Sequence, residues 1–202
     1  MNGYPDDRGE LAGAAARLVV DEGLDYGPAK RKAAKLLGAT ARTPWPDNDA
    51  VEDAVREHLA LFHADTQPAE LAALRALALA WMHRLAAFRP HLAGAVWRGT
   101  ATRLSPVTLQ LYCDDSKSAE IALIDLGIDY RVAGTNSGPR GGSVDVLVVA
   151  ARCDALGERV ELRLVVLDHD DLRGALKPDS RGRSERGDAK TLERLLAAAT
   201  SS

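Results

Sequence analysis

The sequence predicts an α+β protein in which helices come first and a mixed or antiparallel sheet with flanking helices follows. Three observations carry this reading. Up to Phe88, apolar residues recur at helical spacing and the interruptions fall at glycine or proline. From Pro106 onward, short alternating segments take over, the most β-branched being Val144 to Arg152. The chain has 202 residues, enough to bury a proper core in one or two domains. The expected organisation is a helical subdomain over 1–66, a sheet-containing domain over 67–176, and a tail with a C-terminal helix over 177–202.

Composition narrows the function classes. Hydrophobic residues make up 46% and charged residues 27%, with a formal net charge of −3. That balance gives no global attraction for nucleic acid, so any basic surface must be local. No apolar run approaches the ~20 residues of a membrane span, and the polar, acidic Met1 to Glu10 does not resemble a signal peptide. Cys113 and Cys153 form neither a disulfide framework nor a Cys-x-x-Cys knuckle. The expectation is a cytoplasmic protein with two reduced, buried thiols and no membrane partner.

A first helix is predicted over Glu10 to Glu22, with Leu11, Ala15, Leu18 and Val19 on one face and Gly23 as its stop. Pro28 suits the first turn of a second helix, which carries Lys30, Arg31, Lys32 and Lys35 and ends at Gly38. The loop Thr43-Pro44-Trp45-Pro46 is stiffened by its prolines. A third helix runs from about Asp49 to His63, burying Val51, Val55, Leu59 and Phe62. The longest helix is expected over Ala69 to Phe88, with Leu71, Leu74, Ala78, Trp81, Leu85 and Phe88 in one stripe. Ala93 to Arg98 reads as a first strand and Pro106 to Cys113 as a second, joined by a turn at Gly99-Thr100. Asp115 or Ser116 caps a helix that buries Ala119, Ala122, Leu123 and Leu126 and ends at Gly127. A short strand follows over Asp129 to Ala133, then a loop from Gly134 to Ser143. Val144 to Arg152 and Arg159 to Asp168 form an antiparallel hairpin. Lys177 to Asp188 is expected to wrap the surface as an irregular tail, before a final helix over Ala189 to Ala199.

Two resemblances bear on function. The stretch Val96 to Asp115, with Gly99-Thr100 followed by Ser105-Pro106-Val107-Thr108-Leu109, resembles the signature of the DNA polymerase β-type nucleotidyltransferases. In that family a strand ends in Gly-Ser, a short helical turn follows, and the next strand reads Ser-Asp-Ile-Asp-Leu. Ser105 and Leu109 keep the serine and the leucine, while the two aspartates fall on Pro106 and Thr108. The second resemblance is to the opening of a TetR-type DNA-binding domain. Ala15-Ala16-Arg17-Leu18, Asp21-Glu22-Gly23 and the basic helix carry it. Trp45 and its flanking prolines stand where the recognition helix would be, so nothing is expected to enter a major groove.

The nucleotidyltransferase resemblance implies a strand face on which two carboxylates at i and i+2, with a third acid from a neighbouring strand, hold two Mg²⁺ ions about 3.5–4 Å apart. Here Pro106, Thr108, Gln110 and Tyr112 share that face, and none is a hard anionic ligand. Glu161 takes the place of the third acid but alternates with Arg163, which points to a charge pair. Asp168 and Asp170, within Asp168-His169-Asp170-Asp171, would share a face if their strand persisted. With Glu161 they are the candidate catalytic residues and relocated ligands if the chain is an active, Mg²⁺-dependent enzyme. Asp114 and Asp115 read as helix caps. His58, His63, His83 and His91 show no His-x-x-x-His or carboxylate pairing and are expected at the surface or its boundary.

The candidate ligand site is the Gly-Thr turn. A glycine before a short helix leaves backbone N–H groups for a phosphate, Thr100 adds a hydroxyl, and Arg98 and Arg103 supply charge. Gly138-Pro139-Arg140-Gly141-Gly142 is a second loop of phosphate-cradle composition. The expected function is non-catalytic: a nucleotidyltransferase-like protein, without cofactor, that binds a nucleotide, another phosphorylated small molecule or a protein partner. The alternatives are the metal-dependent transferase and a DNA-binding regulator using Lys30 to Lys35, nucleic acid being the least expected partner.

Overall fold

A computed structural model describes residues 7–115, 117–137, 143–173 and 182–200. The chain is mixed α and β and divides into two compact units, residues 1–69 with 100–105, and residues 70–99 with 106–202. The first unit is helical, with α1 (Asp7–Glu22), α2 (Tyr26–Leu36) and α3 (Asn48–Phe62). Leu11, Ala15 and Val19 of α1 pack with Ala29 and Ala33 of α2 and with Val51, Val55 and Leu59 of α3. The alanines let the helix axes approach, and each buried leucine or valine contributes about 1.5–3 kcal/mol. Gly23 stops α1 in the left-handed region at φ 67°, where the Leu104 carbonyl occupies the space a Cβ would need. Asp47 caps α3 by accepting the Ala50 N–H at 2.7 Å. The Thr100–Ser105 segment belongs to this unit: Gln67 Nε2 donates to the Ala101 carbonyl at 2.9 Å and the Thr102 hydroxyl to that of Val20 at 3.5 Å.

Lys30 is buried, and its Nζ donates to the Pro46 carbonyl at 3.2 Å and to Asn48 Oδ1 at 2.9 Å. Lys32 is paired with Glu22. Two of the four basic residues of α2 therefore act inside the unit, one of them holding the proline loop to the start of α3. The basic face of α2 that a DNA-binding regulator would use is correspondingly thinner.

Helix α4 spans Gln67–Arg84, and the second unit takes it from Glu70 onward, followed by a 3-10 turn at Ala86–Phe88 and β1 (His91–Ala93). The long helix expected to reach Phe88 thus stops at Arg84, and Phe88 leaves its stripe for a half-buried position. Arg89 takes φ 47°, the left-handed conformation, immediately before Pro90. Next come α5 (Gly94–Arg98), β2 (Val107–Cys113), α6 (Lys117–Asp125), β3 (Arg131–Ser137), β4 (Ser143–Cys153) and β5 (Glu158–Asp168). A 3-10 turn at His169–Leu172, β6 (Arg186–Asp188) and α7 (Ala189–Thr200) complete the described elements.

Among the described residues the sheet has six strands in the order β3-β4-β5-β2-β1-β6. β2 and β5 run parallel and the other neighbours antiparallel. The β4–β5 hairpin is as expected. One sheet face has an apolar centre: Leu92, Val107, Leu109, Leu111, Leu147, Val149, Leu162 and Leu164 are all at most 3% exposed. α4 lies on this side, its Ala73 carbonyl 4.0 Å from the Cys153 sulfur. The opposite face carries the polar alternates.

Further expectations need correction, among them the burial of Phe62 and Leu126, which are 69% and 48% exposed. Ala93 to Arg98 is not a strand: the strand is His91–Ala93 and the rest is a short helix. Gly94 at φ 71° breaks the chain out of β1, and one helical turn then buries Val96, which an extended run would bury equally well. Asp168 and Asp170 do not share a strand face, because β5 ends at Asp168 and a 3-10 turn begins. The tail is not wholly irregular, since Arg186–Asp188 adds an edge strand to β1. Gly187 makes this docking feasible: the Trp97 ring fills the space beside its Cα, and Trp97 Nε1 donates to the Ser184 carbonyl at 2.7 Å. Among the described residues no helix is long and apolar enough to cross a membrane.

Candidate functional site

The polar face of the sheet is the place where sequence resemblance and structure meet. Strand register puts Arg163, Thr108, Ala93 and Arg186 in one row across β5, β2, β1 and β6. One step along lies the row Val165, Gln110, His91 and Asp188. Residues opposite one another in neighbouring strands share a face, so both rows belong to the same surface. Its middle is low where Ala93 presents only a methyl. Arg186 uses that space: from β6 its Nη1 reaches across β1 to Gln110 Oε1 at 2.7 Å, and lies 3.5 Å from the Tyr112 hydroxyl. Tyr112 in turn donates to Gln110 Oε1 at 3.1 Å.

His91 and Asp188 complete this network. The His91 ring meets Tyr112 edge-on at 5.3 Å, and its Nδ1–H donates to the Arg89 carbonyl at 2.9 Å. That bond leaves Nε2 as the acceptor of the neutral imidazole. Burial pushes the His91 pKa below the ordinary histidine value, Arg186 adding to the effect while the Arg89 carbonyl and Asp188 oppose it. The Asp188 carboxyl is held below its ordinary range, chiefly by hydrogen bonds from Thr191.

On the other side of the row, Arg163 Nε donates to Glu161 Oε1 at 2.7 Å, and Arg131 Nη2 to Glu161 Oε2 at 3.1 Å. Glu161 therefore sits between two guanidiniums, each engaging a different oxygen. A carboxylate so held offers little to a cation, and the charge-pair reading of Glu161 agrees with these contacts. Asp168 accepts the Asp170 N–H at 2.8 Å and so caps the 3-10 turn. Pro106 precedes β2, and Thr108 lies inside it, between Ala93 and Arg163. The polar face thus joins Thr108, Gln110 and Tyr112 to arginines of β5 and β6 but brings no carboxylate pair onto β2.

The Gly-Thr turn has a different local structure from that expected. Gly99 ends α5 instead of preceding a helix, and as its C-cap in the left-handed region at φ 81° it donates its N–H to the Ala95 carbonyl. The N–H that was to face a phosphate is used within the helix end. Thr100 is only 2% exposed, so its hydroxyl is withdrawn from solution. Arg98 and Gly99 belong to the second unit, whereas Thr100 and the exposed Arg103 belong to the first. The second glycine-rich loop, residues 138–142, lies outside the described residues.

Neither cysteine is set up as a nucleophile. Burial together with Asp115, Asp114 and Asp168 pushes the Cys113 thiol up, and Cys153 is buried in the apolar face. Sequence reasoning missed Arg186 and His91, because the one lies in a polar tail and the other in a three-residue strand. Comparison of the chain with protein-family models, with curated proteins and with solved structures finds no match.

Proposed function

We propose that this chain is a non-catalytic, nucleotidyltransferase-like protein that binds a phosphorylated small molecule, such as a nucleotide, on the polar face of its sheet without a metal cofactor. The observation that carries the reading is the cross-sheet row Arg163–Thr108–Ala93–Arg186. It sets a guanidinium on either side of the strand where the resembled family places its metal-binding aspartates. Arginine presents a planar fork of donors suited to phosphate oxygens and keeps its charge at any working pH. Both side chains are partly withdrawn, at 29% and 18% exposure, and both are oriented by hydrogen bonds. A phosphate arriving beside Thr108 would meet cations already restrained, together with the Thr108 hydroxyl.

The transferase alternative is less well supported. Its chemistry needs two divalent ions to offset charge on the reacting phosphates. Thr108 is neutral, Glu161 is engaged by two arginines, and Asp168 caps a turn. The regulator alternative loses Lys30 to the interior of its own unit.

The test is a calorimetric titration of the full chain with pyrophosphate, ATP and GTP, in EDTA and again with Mg²⁺, beside an assay for turnover of labelled nucleotides. The expected result is metal-independent binding that weakens with salt, and no turnover. Arg163→Gln and Arg186→Gln should each weaken binding about 10- to 100-fold, the scale of a charged hydrogen bond. Binding that requires Mg²⁺ and ignores both substitutions would overturn the reading, as would no binding at all. Turnover abolished by Glu161→Gln would establish the enzyme instead.

A further inference from the structure

The helical unit holds a ligand-type cluster independent of the sheet chemistry. Asp21 in the last turn of α1, His58 on α3 and His63 just beyond α3 bring one carboxylate oxygen and two imidazole nitrogens within 4.8 Å of one another. Nε2 of each histidine lies 3.9 Å from Asp21 Oδ1. That is too long for a hydrogen bond, so the three groups converge without bonding to each other.

We propose that these residues form a binding site for a first-row divalent metal ion, with His58 Nε2, His63 Nε2 and Asp21 Oδ1 as ligands and one coordination position open. Zn²⁺ is the ion of choice for the test. Zinc binds imidazole nitrogen and carboxylate oxygen at about 2.0–2.2 Å, which sets ligand atoms of a tetrahedral site about 3.4 Å apart. The two 3.9 Å separations exceed this by about half an ångström. Small side-chain rotations close such a gap. Two imidazoles with one carboxylate suit zinc and its first-row neighbours, whereas Mg²⁺ and Ca²⁺ call for more oxygens and Cu⁺ for sulfur.

The surroundings build the site. On a continuous helix, residues five apart point about 140° away from each other. Here α3 ends at Phe62, and His63 takes φ −130° and ψ 16° while its N–H still bonds to the Leu59 carbonyl. The break swings His63 toward His58, their ring centroids 5.7 Å apart. The Phe62 ring, 4.8 Å from that of His58, limits imidazole rotation from the other side. Core packing of Val19 and Val20 with Val55 and Leu59 keeps the α1 end beside the α3 end. Exposure is graded: His58 is 15% exposed, His63 32% and Asp21 56%, which puts the carboxylate at the mouth. A bound ion would link α1 to α3.

The experiment uses the full chain stripped with EDTA, dialysed, and titrated with ZnCl₂ and with CoCl₂. One equivalent of zinc should bind and raise Tm by about 5–10 °C at one hundred times Kd. Cobalt should give the intense visible bands of a low-coordinate site. His58→Asn and His63→Asn should each weaken zinc binding more than about 100-fold, since loss of even outer partners costs 10–100-fold. Asp21→Asn should weaken it less, and His83→Asn should leave it unchanged. NMR of the wild type supplies a second reading that is independent of how the variants fold: zinc should shift the ring resonances of His58 and His63 and leave those of His83 and His91 in place. Zinc bound with unchanged affinity by the double histidine variant would overturn the proposal. So would no retention above that variant's level, or ring shifts confined to other histidines.

Discussion

Replacing Gly187 by alanine tests whether β6 belongs to the sheet in the manner described. A Cβ at this position would fall on the six-membered ring of Trp97, meeting its Cη2, Cζ3 and Cζ2 atoms at separations that no packing tolerates. The neighbour is a large ring, itself anchored by its Nε1 bond to the Ser184 carbonyl at 2.7 Å, so it has no cheap way to yield. Overpacking of this kind costs about 1–3 kcal/mol. Moving the ring far enough to break the Ser184 bond adds about 1–3 kcal/mol for the donor left unsatisfied. Gly187→Ala should therefore destabilise the second unit by about 2–5 kcal/mol, or release β6 from β1 if that is cheaper. Urea denaturation measures the first outcome. Amide hydrogen exchange across the β1–β6 ladder measures the second. If β6 is released, Arg186 loses its position beside Ala93, and the proposed phosphate affinity should fall with it. A loss below about 0.5 kcal/mol with unchanged exchange would refute the packing argument, because such values are typical of surface substitutions.

Two further outcomes follow from buried polar groups. Lys30→Met keeps the aliphatic stem but deprives the Pro46 carbonyl and Asn48 Oδ1 of their shared donor. It should cost about 1–3 kcal/mol in thermal or urea unfolding. A substitution that left stability intact but removed affinity for DNA would return Lys30 to the surface role. His91 gives a pH dependence with a definite sign. Its folded-state pKa is lowered, so folding favours the neutral imidazole. The contribution is full above the unfolded value of about 6.5 and is lost as pH falls through that value toward the lower folded one. Urea midpoints measured from pH 8 to pH 5 should decline more steeply for the wild type than for His91→Gln, and equal slopes would contradict the burial argument.

The helices were legible because their signals are local. Gly23, Gly38 and Gly127 each stop or follow a helix with positive φ, as their positions after apolar periodic segments suggest. The β4–β5 hairpin was equally plain from its β-branched run and a short turn. What failed was short or non-local. Val96-Trp97 fits a strand and a single helical turn alike, and five residues are too few for a period to declare itself. Only the left-handed Gly94 separates the two readings, and a glycine adopts that conformation or an extended one about equally readily. The strand Arg186–Asp188 has the composition of a loop. It becomes a strand because β1 offers an open edge and Gly187 admits the Trp97 ring.

The same distinction governs the two candidate sites. Alternation along one strand was enough to foresee the Glu161–Arg163 pair, because residues two apart share a face. Arg186 could not be placed beside Thr108 without the strand order, and His58, His63 and Asp21 could not be joined without knowing where α3 ends. Charge logic connects Pro106 and Thr108 to what surrounds them. Carboxylates at those two positions would stand next to Arg163, which lies directly across from Thr108. The guanidinium would then pair with an acid and compete with a metal ion for it. With a proline and a neutral hydroxyl there instead, β2 itself offers Arg163 no acid, and the guanidinium is oriented by Glu161 of its own strand. On the proposed reading, the positive charge that divalent ions would bring with a phosphorylated ligand comes instead from the arginines of the flanking strands, Arg163 and Arg186.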